Sequence, residues 1–260
     1  MAESSTCCPP GSLPHLTEDT NRKVAGDEFR LLNGMNVYRV NPAKETKAAV
    51  VVIYDVFGFN GGRIKGVCDK LGEEFHVYMP DLYGEGASLN DVGGLPALAE
   101  DKGKDWLRQF TYEKLEPKIK DLFTYISSLG YTSVGAIGFC WGVWMGFKLS
   151  AHGLLKCNVG CHPSLVVGEM LFNESSAEQA AAVKCPQLLC PAGNDPDNVK
   201  EGGEVPQVIR DKGLECKVVV FPEMKHGWVP RGDASDATVA RDVQKALDEA
   251  IAFFKKYLVD

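Results

Sequence analysis

No stretch of this 260-residue chain approaches the roughly 18 consecutive apolar residues of a membrane-spanning helix, so no membrane partner is expected. It has no basic run and no polybasic tail. With a formal net charge of −7 and a pI near 5.3, a nucleic-acid partner is not expected either. There is no C-x-x-C pair, which argues against structural zinc, and neither a metal nor a cofactor is expected. Gly61-Gly62 forms neither G-x-G-x-x-G nor a phosphate-binding loop, which speaks against nucleotide binding. The stretch Met1 to Pro10 lacks the basic and apolar regions of a signal peptide. The 9 cysteines are an odd number without disulfide-framework spacing, and Cys157, Cys161, Cys190 and Cys216 fall in strand-like or apolar runs. This reads as a reduced, cytoplasmic protein whose cysteines mostly pack.

What is present can build a large core: 45% of residues are hydrophobic, enough for one sizeable α/β domain. Residues 1–23 are polar and contain prolines, and read as an extended segment over the surface of a single domain at 24–260. Within that segment Cys7-Cys8 reads as an exposed pair, with a metal or redox role as the alternative to none. Asn33-Gly34 lies between two strand-like runs, a hairpin signal, so the sheet begins antiparallel. The pattern then changes. Ala48 to Tyr54 is a continuous β-branched run, as in a strand covered on both faces, and it ends in the loop Asp55 to Gly62. A helix over 63–74, a strand at His76 to Met79 and an irregular stretch over 84–111, a candidate lid, come next. The spacing of Ile119, Leu122, Phe123, Ile126 and Leu129 predicts a helix over 114–129. Leu155 to Cys161, Gln187 to Cys190 and Glu215 to Phe221 read as further strands, with a helix from Glu204 to Lys212 and an amphipathic helix over 236–258. Strands alternating with helices define a doubly wound, mostly parallel sheet with sites at the carboxyl ends of its strands.

Val134 to Gly142 is the chemically distinctive stretch. An apolar strand runs into Gly138-Phe139-Cys140-Trp141-Gly142, and an apolar helix follows. Strand, Gly-flanked turn and helix is the context of a nucleophile elbow, which lifts one side chain clear of the sheet at a helix N-terminus, where a thiolate is favoured. Two later strand ends carry Gly193-Asn194-Asp195 and His226-Gly227. Nucleophile, acid, histidine is the chain order of the α/β-hydrolase fold, which nominates Cys140, Asp195 and His226 as the triad, with Asp197 the rival acid. His226 would take the Cys140 proton or stabilise its thiolate, and Asp195 would orient the imidazole.

Together with Val52-Ile53-Tyr54-Asp55-Val56-Phe57-Gly58, Met79-Pro80-Asp81-Leu82-Tyr83 and His226-Gly227-Trp228-Val229-Pro230-Arg231, these motifs make the chain resemble the dienelactone hydrolase family from about residue 25 onward. Cys7-Cys8-Pro9-Pro10 and Cys161-His162-Pro163-Ser164 resemble a eukaryotic branch of it. The resemblance implies an α/β-hydrolase that cleaves a small ester or lactone through an acyl-enzyme. It implies Cys140 as nucleophile, His226 as base, Asp195 as its orienter and the backbone N–H groups of Val56 and Trp141 as the oxyanion hole. Asp55 stands where the bacterial enzymes carry a Glu that handles the thiol proton. Of the two arginines that hold the substrate carboxylate there, one position is taken by Gly84-Glu85 and the other survives, one residue displaced, as Arg231. A neutral or singly charged ester is therefore expected over a dianion. Asp55, Phe57, His162, Trp228 and Arg231 are the candidate substrate-contacting residues, and a monomer or homodimer is expected. The competing readings are a thiol redox protein, against which stands the lack of a resolving cysteine nearby in sequence, and a non-catalytic binding protein on a hydrolase scaffold.

Overall fold

The computed structural model describes residues 7–16 and 24–259. Strands β1 (Asp27–Arg30), β2 (Asn36–Val40), β3 (Ala48–Ile53), β4 (His76–Pro80), β5 (Ser133–Phe139), β6 (Cys157–Cys161), β7 (Gln187–Cys190) and β8 (Cys216–Val218) form one sheet. Their spatial order is β1-β2-β4-β3-β5-β6-β7-β8. The first two pairings, β1 with β2 and β2 with β4, are antiparallel, and the rest are parallel. This is the expected architecture. At the hairpin the Asn33 side-chain oxygen accepts from the Met35 amide at 2.9 Å and Gly34 takes a φ of 82°, a left-handed turn that suits glycine.

The helices are α1 (Ile64–Leu71), α2 (Asp101–Leu107), α3 (Tyr112–Ser128), α4 (Trp141–Ala151), α5 (Val166–Phe172), α6 (Ser176–Ala182), α7 (Glu204–Asp211), α8 (Trp228–Arg231) and α9 (Ala237–Leu258). All six residues of β3 are buried, as a strand covered on both faces requires. Strand β5 shows the two covers. A Cβ at Gly135 would lie 2.9 Å from the Phe254 ring of α9, whereas one at Gly138 would lie 2.2 Å from the Gly142 carbonyl of α4. Positions an odd number apart point to opposite faces, so α9 and α4 sandwich the central strand. Both long helices are capped: Thr111 accepts from the Lys114 amide at 3.3 Å and Asp236 from the Thr238 amide at 2.7 Å.

Three expectations are corrected and two helices are added. Residues 84–111 are not irregular: 3-10 turns at Leu89–Val92 and Leu95–Ala99 lead into α2. Helices α5 and α6 went unread because each has seven residues, too few for an apolar stripe, although Ser175 and Glu178 form a capping box that signals α6. The last strand is shorter than expected. Its ladder stops at Val218 and only Phe221 bridges again, to Ala192, because the facing Pro191 has no N–H to give. Finally, the N-terminal segment does not simply run over the surface. Cys7 and Cys8 are 1% and 8% exposed and lie inside the core. Residues 1–6 and 17–23 of that segment lie outside the described residues.

Candidate active site

The turn between β5 and α4 is built by close approach. A Cβ on Gly142 would sit 2.2 Å from the Ile53 carbonyl of β3, just as one on Gly138 would strike Gly142. Only hydrogens fit at both places, so the helix starts almost on top of the sheet. Cys140, at the apex, takes a φ of 54° and a ψ of −115°, a strained conformation for a residue with a side chain.

Asp195 and His226 reach the same place from the ends of β7 and β8. The Asp195 carboxylate accepts from the Ala192 amide at 2.6 Å, which locks the turn, and its other oxygen lies 2.6 Å from His226 Nδ1. The His226 amide donates to the Asn194 side chain at 2.7 Å, and Gly227 leaves the turn with a φ of 95°. On the other edge of the ring, Nε2 lies 3.5 Å from Ser164 Oγ, which is itself 3.3 Å from Cys140 Sγ. All three side chains are buried. The rival Asp197 is solvated, with a side chain 97% exposed and paired to Lys200.

Burial alone would push the Cys140 thiol up. The hydrogen bonds it receives from Cys7 and Cys8, and the neighbouring His226, outweigh that and hold it well below the usual thiol range. For His226, burial favours the neutral ring, but the Cys140 thiolate and the Asp195 carboxylate raise it well above an ordinary histidine. The two shifts share a cause, because the charged form of each group favours that of the other.

The amides of Val56 and Trp141 bond to no acceptor among the described residues. The remaining nominated residues form the surrounding shell. Asp55 does not bond Cys140. Its carboxylate faces Arg231 Nε at 2.8 Å as an ion pair and accepts from the Phe57 amide at 2.9 Å. Burial raises Asp55, opposed in part by Arg231. Arg231 is buried rather than superficial. Its guanidinium lies over the Phe57 ring, 4.8 Å from the centroid, and donates to the Leu13 carbonyl. His162 is buried with both ring nitrogens unbonded among the described residues, its ring 4.9 Å from that of His226 and 5.3 Å from that of Trp228. Burial, first, and then His226 drive it well below an ordinary histidine, so it is neutral. Its φ of 42° adds a second strained residue to the site.

Three contributors escaped the sequence. Ser164 Oγ lies 3.3 Å from Cys140 Sγ and 3.5 Å from His226 Nε2, and donates to the Cys7 carbonyl. Cys7 and Cys8 each place Sγ 3.7 Å from Cys140 Sγ. Ser164 was within reach as part of the Cys-His-Pro-Ser run that ends β6. For the two thiols, more than 130 residues distant in sequence, no signal linked them to Cys140. The strap that carries them is tied down at several points. The Leu13 amide donates to the His226 carbonyl at 2.9 Å, the Asn194 side chain to the Pro10 carbonyl at 3.1 Å, and the Gly62 amide to the Leu16 carbonyl at 2.9 Å. A cleft of about 440 Å³ opens beside it, lined by Cys7, Pro163, Leu165, Asn194 and Val199 among others, and the Cys7 sulfur that lines it is 3.7 Å from that of Cys140.

A G-x-C-x-G elbow with acid and histidine following in hydrolase order, on a sheet whose parallel strands end at the site, defines an α/β-hydrolase. The particular family follows from comparison. The pattern of the dienelactone hydrolase family matches residues 35–258, and this chain belongs to that family, a family of ester and lactone hydrolases. Among its relatives is an uncharacterised AIM2 family protein of Schizosaccharomyces pombe, 25% identical, with 98% of this chain and 100% of that one aligned. Another is the hydrolase tropI of Talaromyces stipitatus, 23% identical over 84% of each chain. The crystal structure of a protein assigned as a dienelactone hydrolase from Klebsiella pneumoniae shares the fold, with a TM-score of 0.71 at 19% identity, covering 91% of this chain and all (100%) of the other. No described helix is long and apolar enough to cross a membrane.

Proposed function

We propose that the protein is a cysteine-dependent hydrolase of small neutral or singly charged esters or lactones, acting through an acyl-enzyme on Cys140, His226 and Asp195. The observation that carries this reading is the 2.6 Å contact between His226 Nδ1 and Asp195, with Nε2 of the same ring 3.5 Å from Ser164 Oγ, which lies 3.3 Å from Cys140 Sγ at the elbow. The Cys140 thiolate attacks the acyl carbon. Charge gathers on the carbonyl oxygen, where the Val56 and Trp141 amides receive it, each such donor being worth about 3 kcal/mol. The imidazolium of His226 gives its proton to the departing alkoxide. It then takes one from water, whose hydroxide cleaves the thioester and restores the thiolate. Asp195 holds the ring in the tautomer that both steps need.

The acyl preference follows from the shell. Arg231 is engaged by Asp55 and the Leu13 carbonyl, so its charge is already balanced and a substrate carboxylate gains little from it. Phe57, Trp228 and the uncharged His162 suit an apolar acyl group. Thiol chemistry and 9 cysteines suit the reducing cytoplasm.

The test is turnover of a panel of small esters, lactones and thioesters by the chelator-treated chain, with Cys140→Ala and His226→Ala alongside. Hydrolysis lost in both variants, with a thioester adduct on Cys140 trapped by mass spectrometry, is the expected result. Undiminished hydrolysis by Cys140→Ala overturns the reading.

A further inference from the structure

The mechanism above makes no use of Cys7 and Cys8, yet the strap delivers both thiols to the nucleophile. The three sulfurs of Cys7, Cys8 and Cys140 lie within 4.8 Å of one another and all are buried. The two contacts to Cys140 are 3.7 Å each. That separation is far beyond a disulfide bond of about 2.05 Å. It matches the edge of a tetrahedron of sulfurs around zinc: with Zn–S near 2.3 Å, two ligand sulfurs stand about 3.8 Å apart. The strap is also held as a metal-site loop is held, by backbone and side-chain hydrogen bonds at Pro10, Leu13 and Leu16 that act whether or not the thiols are occupied. His226 Nδ1 is fixed by Asp195 at 2.6 Å, the supporting arrangement usual around metal-bound imidazole.

We propose that Cys7, Cys8 and Cys140 form a binding site for a soft, thiophilic divalent cation such as Zn2+, which occupies the nucleophile, adds a further tie to the strap over it and holds the hydrolase inactive. Three protein thiolates leave the fourth position of the tetrahedron to another ligand. The expectation of no zinc rested on the absence of C-x-x-C, a local pattern. This cluster is assembled from two ends of the fold, so local spacing could not show it. Metal loading takes the three sulfurs as thiolates: Cys7 and Cys8 release their protons to solvent and Cys140 enters as the thiolate of the proposed mechanism, with no change in oxidation state. Removal of the metal frees the Cys140 thiolate and leaves the strap held by its hydrogen bonds alone.

Binding stands on the cluster geometry alone, whereas the inhibitory consequence rests on the reading of Cys140 as nucleophile, and the two arms of the test fail separately. In the first arm the full chain is stripped with chelator under anaerobic reduction and titrated with Cd2+, then with Zn2+ against a chromophoric chelator. The expected result is one equivalent bound, with a thiolate-to-cadmium charge-transfer band. In Cys7→Ser, Cys8→Ser and the double variant, zinc affinity falls by more than the roughly 10–100-fold that loss of a supporting group costs. Equal stoichiometry and affinity in the double variant overturn the site. So does a chain that binds no metal but loses a thiol pair on mild peroxide treatment and regains it with dithiothreitol, since the cluster is then a disulfide switch. In the second arm each protein's zinc-free ester hydrolysis is its own reference. Stoichiometric Zn2+ abolishes turnover in wild type and chelator restores it, while the double variant responds weakly. Metal bound without loss of turnover overturns the inhibitory role and leaves the site.

Discussion

Replacing Asp55 with Asn tests whether the strap seals the site. The substitution keeps shape and an acceptor for the Phe57 amide, but removes the charge 2.8 Å from Arg231 Nε. The side chains of that pair are 3% and 0% exposed, so water does not replace the lost partner. Breaking a buried pair from one side costs about 3–5 kcal/mol, and the neutral oxygen that Asn still offers places this case near 3. For a domain of this size each kcal/mol moves Tm by roughly 2–4 °C, so Asp55→Asn melts about 6–12 °C lower. Arg231 has one way out. It also holds the Leu13 carbonyl, so lifting the strap would hydrate the guanidinium and cap the penalty at the cost of opening. The two responses are read together by thermal unfolding and by the rate at which iodoacetamide labels Cys140. Asp55→Asn either loses the full stability or labels faster. The double variant Asp55→Asn/Arg231→Met, with no stranded charge, recovers most of both. A single variant that melts within about 2 °C of wild type with unchanged labelling refutes a sealed, dry pair.

Three further outcomes are expected. Asp195→Asn lowers kcat by roughly 10⁴-fold through the wrong imidazole tautomer, whereas Asp197→Asn leaves it unchanged, measured on the best ester of the panel. The pH profile of kcat/KM is a broad plateau. Activity is lost on the acid side only where the depressed Cys140 thiolate finally takes a proton, well below the ordinary thiol range, and on the basic side where the raised His226 loses one. Asp195→Asn removes one cause of the His226 elevation and so brings the basic limb to lower pH; a single rising limb near pH 8–9 would contradict the ion pair. Gly142→Ala puts a methyl 2.2 Å from the Ile53 carbonyl, backbone against backbone, and destabilises by about 3 kcal/mol or more in urea unfolding; a loss under 1 would mean that the elbow relaxes freely.

Much of this protein was legible along the chain because its determinants are local. The β-branched run of β3, the Asn33-Gly34 hairpin, the Gly-flanked Cys140 turn and the amphipathic α9 each carry their structure within a few residues, by sterics and periodicity. The order of Cys140, Asp195 and His226 was informative because a parallel sheet brings strand ends to one edge. Only the tertiary structure decided where the N-terminal strap goes and what Asp55 and Arg231 do. The burial of Cys7 and Cys8 depends on contacts with Cys140 and Ser164, residues from distant parts of the chain. Asp55 and Arg231 are each plausible ligands for thiol or substrate until burial pairs them, because two charges in a dry interior find each other before anything else. Local pattern specifies elements and their order; burial, which sets the cost of every unpaired charge and thiol, is a property of the assembled fold alone.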